Sequence, residues 1–321
     1  MYDRGLGVLE QYGLTAETVM RGRGALICQT EKGWKSIREY WGSPGRLEQQ
    51  RKIQKRCKET GFLLVDQVEE NQEGQVVTTG EDGIPYVVKE WFQGTECNTR
   101  SREDIFNSME AMAELHTVMQ TEQEEDMPGA DLLEECRRHN RELRRTRKFV
   151  QKKKMKNPFE ERLAQSITVF LEAGEEMVKE LENSDYEKFC KEHRQAVCHG
   201  DCNQHNIIFT REGIGFMNFE HWHCGPQTED LCLFMRKILE KHNWDPELGK
   251  RMAEQYNQKR PLSVEEWKHL KLCLSYPWRY WKLVNYYAAN QKVWISRKNI
   301  EKIEQATALW QPWQRFLQSF C

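Results

Sequence analysis

The chain has 321 residues, enough to bury a full core as one two-lobed unit or two domains. Its net charge of −2 gives no bulk attraction to nucleic acid, and no apolar run approaches the roughly 20 residues a membrane helix needs. Eleven scattered cysteines without a Cys-x-x-Cys pair suit reduced thiols in a cytoplasmic protein, and the start, Met1-Tyr2-Asp3-Arg4-Gly5, does not read as a signal peptide.

In chain order, Val8 to Leu14 reads as a short helix stopped by Gly13. Gly22-Arg23-Gly24 then precedes the apolar Ala25 to Cys28, a turn at Glu31-Lys32-Gly33 and the alternating Trp34 to Tyr40, which together predict a hairpin. A Gly-x-Gly beside a strand is an ordinary turn in most chains and a phosphate-binding loop in some. Pro44 to Lys58 predicts a helix with a ragged stripe of Leu47, Ile53 and Cys57. Gly61 to Val68 and Val76 to Thr79 predict strands, Asp82-Gly83 a turn, and Tyr86 to Gly94 a strand ending in glycine. Arg102 to Thr117 carries Ile105, Met109, Met112, Ala113 and His116 at helical spacing, which makes His116 a packing residue. Asp126-Met127-Pro128-Gly129 reads as a loop. Leu132 to Lys156 predicts a strongly basic helix. Such a run is usually a solvated face, can grip an acidic partner, and has too few aromatics to favour base stacking. Phe159 to Leu181 predicts another long helix. The remainder is helical, with breaks near Pro246, Pro261 and Pro277 and a capping-box pattern from Ser263 to Glu266.

Chemistry concentrates between His199 and Glu220. The loop His199-Gly200-Asp201-Cys202-Asn203-Gln204-His205-Asn206 runs into the apolar Ile207-Ile208-Phe209. A turn at Arg211-Glu212-Gly213 leads to Gly215-Phe216-Met217-Asn218-Phe219-Glu220. Asp201 and Asn206, five residues apart, can serve one site: the carboxylate to orient or deprotonate a hydroxyl, the amide oxygen to bind a hard cation such as Mg2+. His199, Cys202, His205, His221, His223 and Cys224 lack the paired spacing of zinc motifs, so loop and packing roles are expected of them.

The loop resembles the His-Gly-Asp-x-x-x-x-Asn of the aminoglycoside phosphotransferase and choline kinase branch of the kinase-like fold. The tail Leu274-Ser275-Tyr276-Pro277-Trp278-Arg279-Tyr280-Trp281, with Tyr286-Tyr287 and Val293-Trp294, resembles the C-terminal signature of the CotS family of bacterial spore coat proteins. The resemblance implies an α+β, two-lobed protein-kinase-like fold. Residues 1–93 would form a small antiparallel-sheet lobe and residues 94–321 a large, mostly helical lobe. It implies Asp201 as the catalytic base, Asn206, Asn218 and Glu220 around Mg2+, and ATP contacts from Arg38, Glu48, Glu90, Trp91 and Phe92. Arg38 stands where related chains have a strand lysine. Glu48 is the expected helix carboxylate for it, with Glu59 an alternative; both also suit a solvated surface. Backbone groups of Glu90 to Phe92 would meet the adenine where the lobes join. Asp230, after Gly225-Pro226, takes the place of an acid that starts a helix and braces the catalytic loop.

Two departures from the family pattern bear on activity. Asn218 replaces the metal-binding aspartate, removing a negative charge that Mg2+ favours, and Arg38 replaces the lysine with a bulkier fork. Glu220 is the carboxylate that could compensate. The resemblance therefore implies a degenerate or weak phosphotransferase with a structural or binding role in the spore coat, contacting other coat proteins. The alternative is an active ATP-dependent kinase for a small hydroxyl-bearing molecule. ATP and Mg2+ are the expected cofactors, and cytoplasm or spore coat the expected location.

Overall fold

The computed structural model describes residues 5–22, 24–61, 64–121, 129–290 and 296–320. Arg23, the loop residues 126–128 and the tail residues Val293 and Trp294 lie outside them. The chain packs as two units. One comprises residues 1–126, 195–223 and 258–260, and the other residues 127–194, 224–257 and 261–321. The expected lobe junction at residues 93–94 falls within the first unit.

In the first unit, Leu6–Tyr12 forms a 3-10 turn rather than an α-helix. Gly13 ends it in the left-handed conformation, φ 64°, a geometry open to glycine. Val8, Leu9, Tyr12 and Leu14 bury against Cys28, Ile37, Tyr86 and Val88 of the sheet that follows. That sheet contains β1 (Ala16–Gly22), β2 (Ala25–Thr30) and β3 (Gly33–Glu39). After helix α1 (Pro44–Glu59) come β4 (Leu64–Val65), β5 (Thr78–Thr79) and β6 (Pro85–Glu90). Its order is β1-β2-β3-β6-β5, every pair antiparallel. Strand β1 had no sequence signal because its side chains are almost all exposed and carry no apolar alternation. The register of β3 on β6 is the one that matters below: Ser36 stands opposite Lys89 and Arg38 opposite Val87. Directly paired residues share a sheet face, and the face repeats every second residue, so Arg38 and Lys89 project to one side.

Next come β7 (Thr95–Glu96) and α2 (Arg102–Val118), capped by Ser101, whose hydroxyl accepts from the Asp104 N–H. Its predicted stripe, His116 included, is buried. In the second unit follow α3 (Leu132–Lys152), α4 (Pro158–Glu182) and α5 (Tyr186–Glu192). Helix α3 stops four residues short of the expected end. Lys153 is extended, and Asn157 opens α4 with a full capping box to Glu160 and Pro158 in the first turn.

The first unit resumes with β8 (Val197–Cys198), β9 (Ile207–Phe209) and β10 (Ile214–Phe216). Strands β9 and β10 are the hairpin around Arg211-Glu212-Gly213, and they join a second sheet of order β4-β10-β9-β7. This sheet presents the residues before β9 and after β10 side by side. After β11 (His223–Cys224) the chain is helical: α6 (Thr228–Leu239), α7 (Pro246–Lys259), α8 (Val264–Ser275), α9 (Trp278–Ala289), α10 (Arg297–Ala308) and α11 (Trp310–Ser319). The expected capping box at Ser263 and Glu266 starts α8, and Asp230 lies in the first turn of α6. In the second unit the tail aromatics form a core: Tyr280 stacks on Phe170 at 3.9 Å, and Trp281 stacks on His139 at 3.4 Å.

Candidate active site

The loop between β8 and β9 is held by its histidine. The Asp201 N–H donates to His199 Nδ1 at 3.2 Å, which leaves the hydrogen on Nε2 to donate to the Met217 carbonyl at 3.0 Å. One buried imidazole thereby ties the start of the loop to the end of β10. Gly200 takes φ 79° and passes directly over the His221 carbonyl. Asp201 comes out half-buried, its carboxylate oriented by amides: Asn203 Nδ2 donates to Oδ1 at 2.8 Å and Asn206 Nδ2 to Oδ2 at 2.9 Å. A carboxylate aimed in this way can receive a proton or orient a hydroxyl.

Asn218 adopts a left-handed backbone, φ 68° and ψ 60°, which asparagine tolerates better than most residues. Its Nδ2 donates to Asn206 Oδ1 at 2.8 Å. The backbone N–H of Asn218 donates to Asp66 Oδ2 at 2.8 Å. Asp66, just past β4, is fully buried, and Gln54 of α1 donates to its Oδ1 at 3.0 Å and to its carbonyl at 2.8 Å. The inward residue of α1 is thus Gln54, not a glutamate.

Lys89 completes the network. Its side chain is 2% exposed, its ammonium is hydrogen-bonded to Glu220 Oε1, and it lies 4.0 Å from Asp66 Oδ2. Arg38 Nη1 is 3.8 Å from the same Glu220 oxygen. This corrects two expectations. Arg38 faces Glu220, while Glu48 lies 4.0 Å from Arg51 on the same helix; Glu48 is turned to the side of α1 that follows Arg51 and Glu70. Glu59, the alternative, lies 3.8 Å from Lys55. Glu220, expected at a metal ion, holds two cationic side chains instead.

Burial raises the Glu220 carboxyl, but the Lys89 ammonium outweighs it and holds the group at about 2. Asp66 goes the other way. Burial pushes it up, Glu220 adds to the rise, and Lys89, the Asn218 N–H and Arg38 only partly oppose it, leaving the group at about 7. The sign of the pH effect follows. The folded protein keeps a proton on Asp66 that the unfolded chain releases near its ordinary value of 3.8. Its contribution to stability is complete below that pH and is lost as pH rises to about 7. Glu220 contributes in the opposite sense, fully above its ordinary 4.5 and lost toward pH 2. Burial pushes His139 and His269 down to about 4, which makes stability rise with pH below 6.5, so the Asp66 effect is read as a difference: from pH 4.5 to 7.5 the urea midpoint of the parent should fall relative to that of Asp66→Asn. A constant difference between the two proteins across that range would remove Asp66 as a pH-dependent contributor.

The strand expected to meet adenine is partly spent. The Glu90 N–H donates to the Gln67 carbonyl and the Trp91 N–H to the Trp34 carbonyl, each at 2.9 Å. The Glu90 carboxylate pairs with Lys58. Trp91 and Phe92 line an open groove with Leu64, Phe209 and Thr210.

The donors around Asn206 do not suit Mg2+. That ion takes near-octahedral oxygen ligands, usually with one or two carboxylates. Here the Asn206 amide oxygen accepts from Asn218, Glu220 is neutralised by Lys89, and both Asp66 oxygens accept hydrogen bonds. Among the described residues no group of three His, Cys, Asp or Glu is placed to hold a metal ion, the His199–Cys224 cluster included. The sequence reading missed Lys89, Asp66 and Gln54. The available signal was a lysine directly after Tyr86-Val87-Val88 in a strand buried on both faces, where a charge needs a partner.

Part of the basic run of α3 is answered within its own unit. Arg137 pairs with Glu182 at 2.8 Å, Arg144 with Glu175 at 2.5 Å, and Lys153, just past the helix, with Glu160 at 2.7 Å. No helix among the described residues is long and apolar enough to cross a membrane.

A profile described as the phosphotransferase enzyme family matches residues 65–268, more than half of the chain. No curated protein matches. Among solved structures, an aminoglycoside phosphotransferase from Alicyclobacillus acidocaldarius is similar over 100% of this chain and 95% of its own, with a TM-score of 0.86 and 18% identity. A spectinomycin phosphotransferase solved with ADP and spectinomycin covers 97% and 92%, with a TM-score of 0.62 and 10% identity. A microcompartment-associated aminopropanol kinase covers 98% and 97%, with a TM-score of 0.61 and 14% identity. The fold is accordingly the protein-kinase-like one, with an antiparallel N-terminal sheet and a helical C-terminal region.

Proposed function

Because the chain belongs to the phosphotransferase enzyme family, we propose that it keeps the kinase-like scaffold but acts mainly by binding, with weak or no phosphoryl transfer. One observation carries this reading: the ammonium of Lys89 on Glu220, beside Asp66. Phosphoryl transfer on this fold depends on cations that neutralise the moving phosphate. In this chain the cations near the loop are side chains, Lys89 and Arg38, and the remaining carboxylates serve them. Two fixed cations can attract a nucleotide's phosphates. They do not supply the exchangeable ligand positions of a metal ion. The CotS-like tail supports the finer proposal of a spore coat component whose work is contact with other coat proteins. Asp201, still aimed by two amides, favours a second reading, an active kinase for a small hydroxyl-bearing substrate.

Melting of the purified chain with ATP, in Mg2+ and separately in EDTA, tests the first reading. A ligand that binds only the folded state must raise the midpoint. An ATP effect of equal size in both, or none in either, is expected. A rise that requires Mg2+, followed by turnover in a substrate screen, would sink the proposal.

Asn218→Asp is a sharper probe. It removes the donor to Asn206 and sets a carboxylate against the Asn206 amide oxygen. Without metal it should cost about 1–3 kcal/mol, as for an unsatisfied buried polar group. Millimolar Mg2+ should restore part of that loss in the variant while leaving the parent unmoved. Equal Mg2+ effects on both proteins would argue that the parent already binds the ion.

A further inference from the structure

In the second unit, the end of α4, the first turn of α5 and one face of α8 enclose an open pocket of about 320 Å³. Leu181, Tyr186, Phe189 and Leu272 give it an apolar wall, and His269 lies deepest, 3% exposed. The rings of Tyr186 and Phe189 lie 5.9 and 4.8 Å from that imidazole, and the Thr228 hydroxyl is 2.7 Å from its Nδ1. Burial holds His269 at about 4, so it adds no charge to the pocket at neutral pH.

Three charged side chains line the same pocket: Asp185, Glu265 and Lys268. Glu265, Lys268, His269 and Leu272 follow helical spacing and so share one face of α8. All three charged groups are exposed and make no ion pair among the described residues. Glu265 and Lys268 stand three positions apart without pairing, and Asp185 precedes α5 without capping it. Charges beside the pocket are answered. Glu182 is 2.8 Å from Arg137, Glu187 is 2.6 Å from Lys191, Lys188 is 3.8 Å from Glu192, and Glu266 accepts from the Ser263 N–H at 2.9 Å. Lys271, the next cation along α8, is not part of the lining. Two carboxylates and one ammonium leave the pocket with a net charge of −1.

We propose that this pocket binds a free basic amino acid such as lysine. An apolar pocket with a few placed polar groups takes its ligand by the apolar part and orients it by the polar ones. Lysine carries two ammonium groups and one carboxylate, the counterparts of Asp185, Glu265 and Lys268, and its methylene chain matches the apolar wall. A diamine would set like charge against Lys268. A neutral amino acid would leave one acid unanswered. Complementarity of this kind decides between ligands more than it adds raw affinity.

The test is calorimetric titration of the full chain with L-lysine, with norleucine, which lacks the second ammonium, and with cadaverine, which lacks the carboxylate. Each analogue should bind about tenfold more weakly than lysine, the worth of one charge-assisted hydrogen bond. Lys268→Met should weaken lysine by a similar factor and leave cadaverine no weaker, a split that general damage to the fold would not produce. Asp185→Asn should bring lysine toward norleucine. Both substituted side chains are exposed and unpaired, so the melting midpoints should match the parent's. The analogue series on the parent decides the matter if a variant does not fold. Absence of lysine binding, norleucine or cadaverine binding as tightly as lysine, or undiminished lysine binding by Lys268→Met would each overturn the proposal.

Discussion

Replacing Lys89 by methionine is expected to lower the unfolding free energy by about 3–5 kcal/mol, the usual cost of removing one partner of a buried ion pair. Register places Lys89 on the same sheet face as Arg38, and burial leaves its ammonium no solvent. Glu220 and Asp66 are the groups that repay its desolvation. Methionine keeps the volume and removes the charge. Glu220 is then left partly buried with only the more distant Arg38, and Asp66 is driven further toward its protonated form. Urea unfolding measures the loss directly. The double variant Lys89→Met with Glu220→Leu should recover much of it, because neither charge is then stranded. The single variant should also gain a Mg2+ response that the parent lacks, since Glu220 is released. A loss below about 1 kcal/mol would mean that water reaches the ammonium, with the worth of an exposed pair.

Gly200→Ala is expected to cost about 3 kcal/mol or more, combining left-handed backbone strain with overpacking. An added Cβ would lie 2.0 Å from the His221 carbonyl oxygen, and backbone cannot yield as a flexible side chain does. The residue also has φ 79°. Gly33→Ala separates the two causes. It has φ 90° but open space around the new methyl, so it should show strain alone, roughly 1–2 kcal/mol. Comparable losses in the two variants would refute the close approach at Gly200. Because the loop carries Asp201, loss at Gly200 should also reduce any binding the site supports.

Local chemistry by itself determined a good deal of this protein. The apolar spacing of Arg102 to Thr117, the Ser263 and Glu266 capping box, the Gly13 stop and the β9–β10 hairpin all depend on residues within a few positions of one another. So does the loop from His199 to Asn206, whose order of residue types pointed to the kinase-like fold that the similar structures share. What the sequence could not determine is which charge meets which. Lys89 and Glu220 are 131 positions apart, and Asn218 and Asp66 are 152 apart. Glu48 and Glu220 are equally plausible partners for Arg38 when only spacing is known. The choice fell to the rotation of α1, which turns Gln54 inward and Glu48 toward Arg51, and to the register of β3 on β6, which brings Lys89 beside Arg38. Burial then gave these few charges their weight. A carboxylate near water is ordinary, but Asp66 with none must share its site with a lysine or keep its proton. Periodicity and capping are local and can be read along the chain, whereas ion pairing under low solvation exists only after distant strands have met.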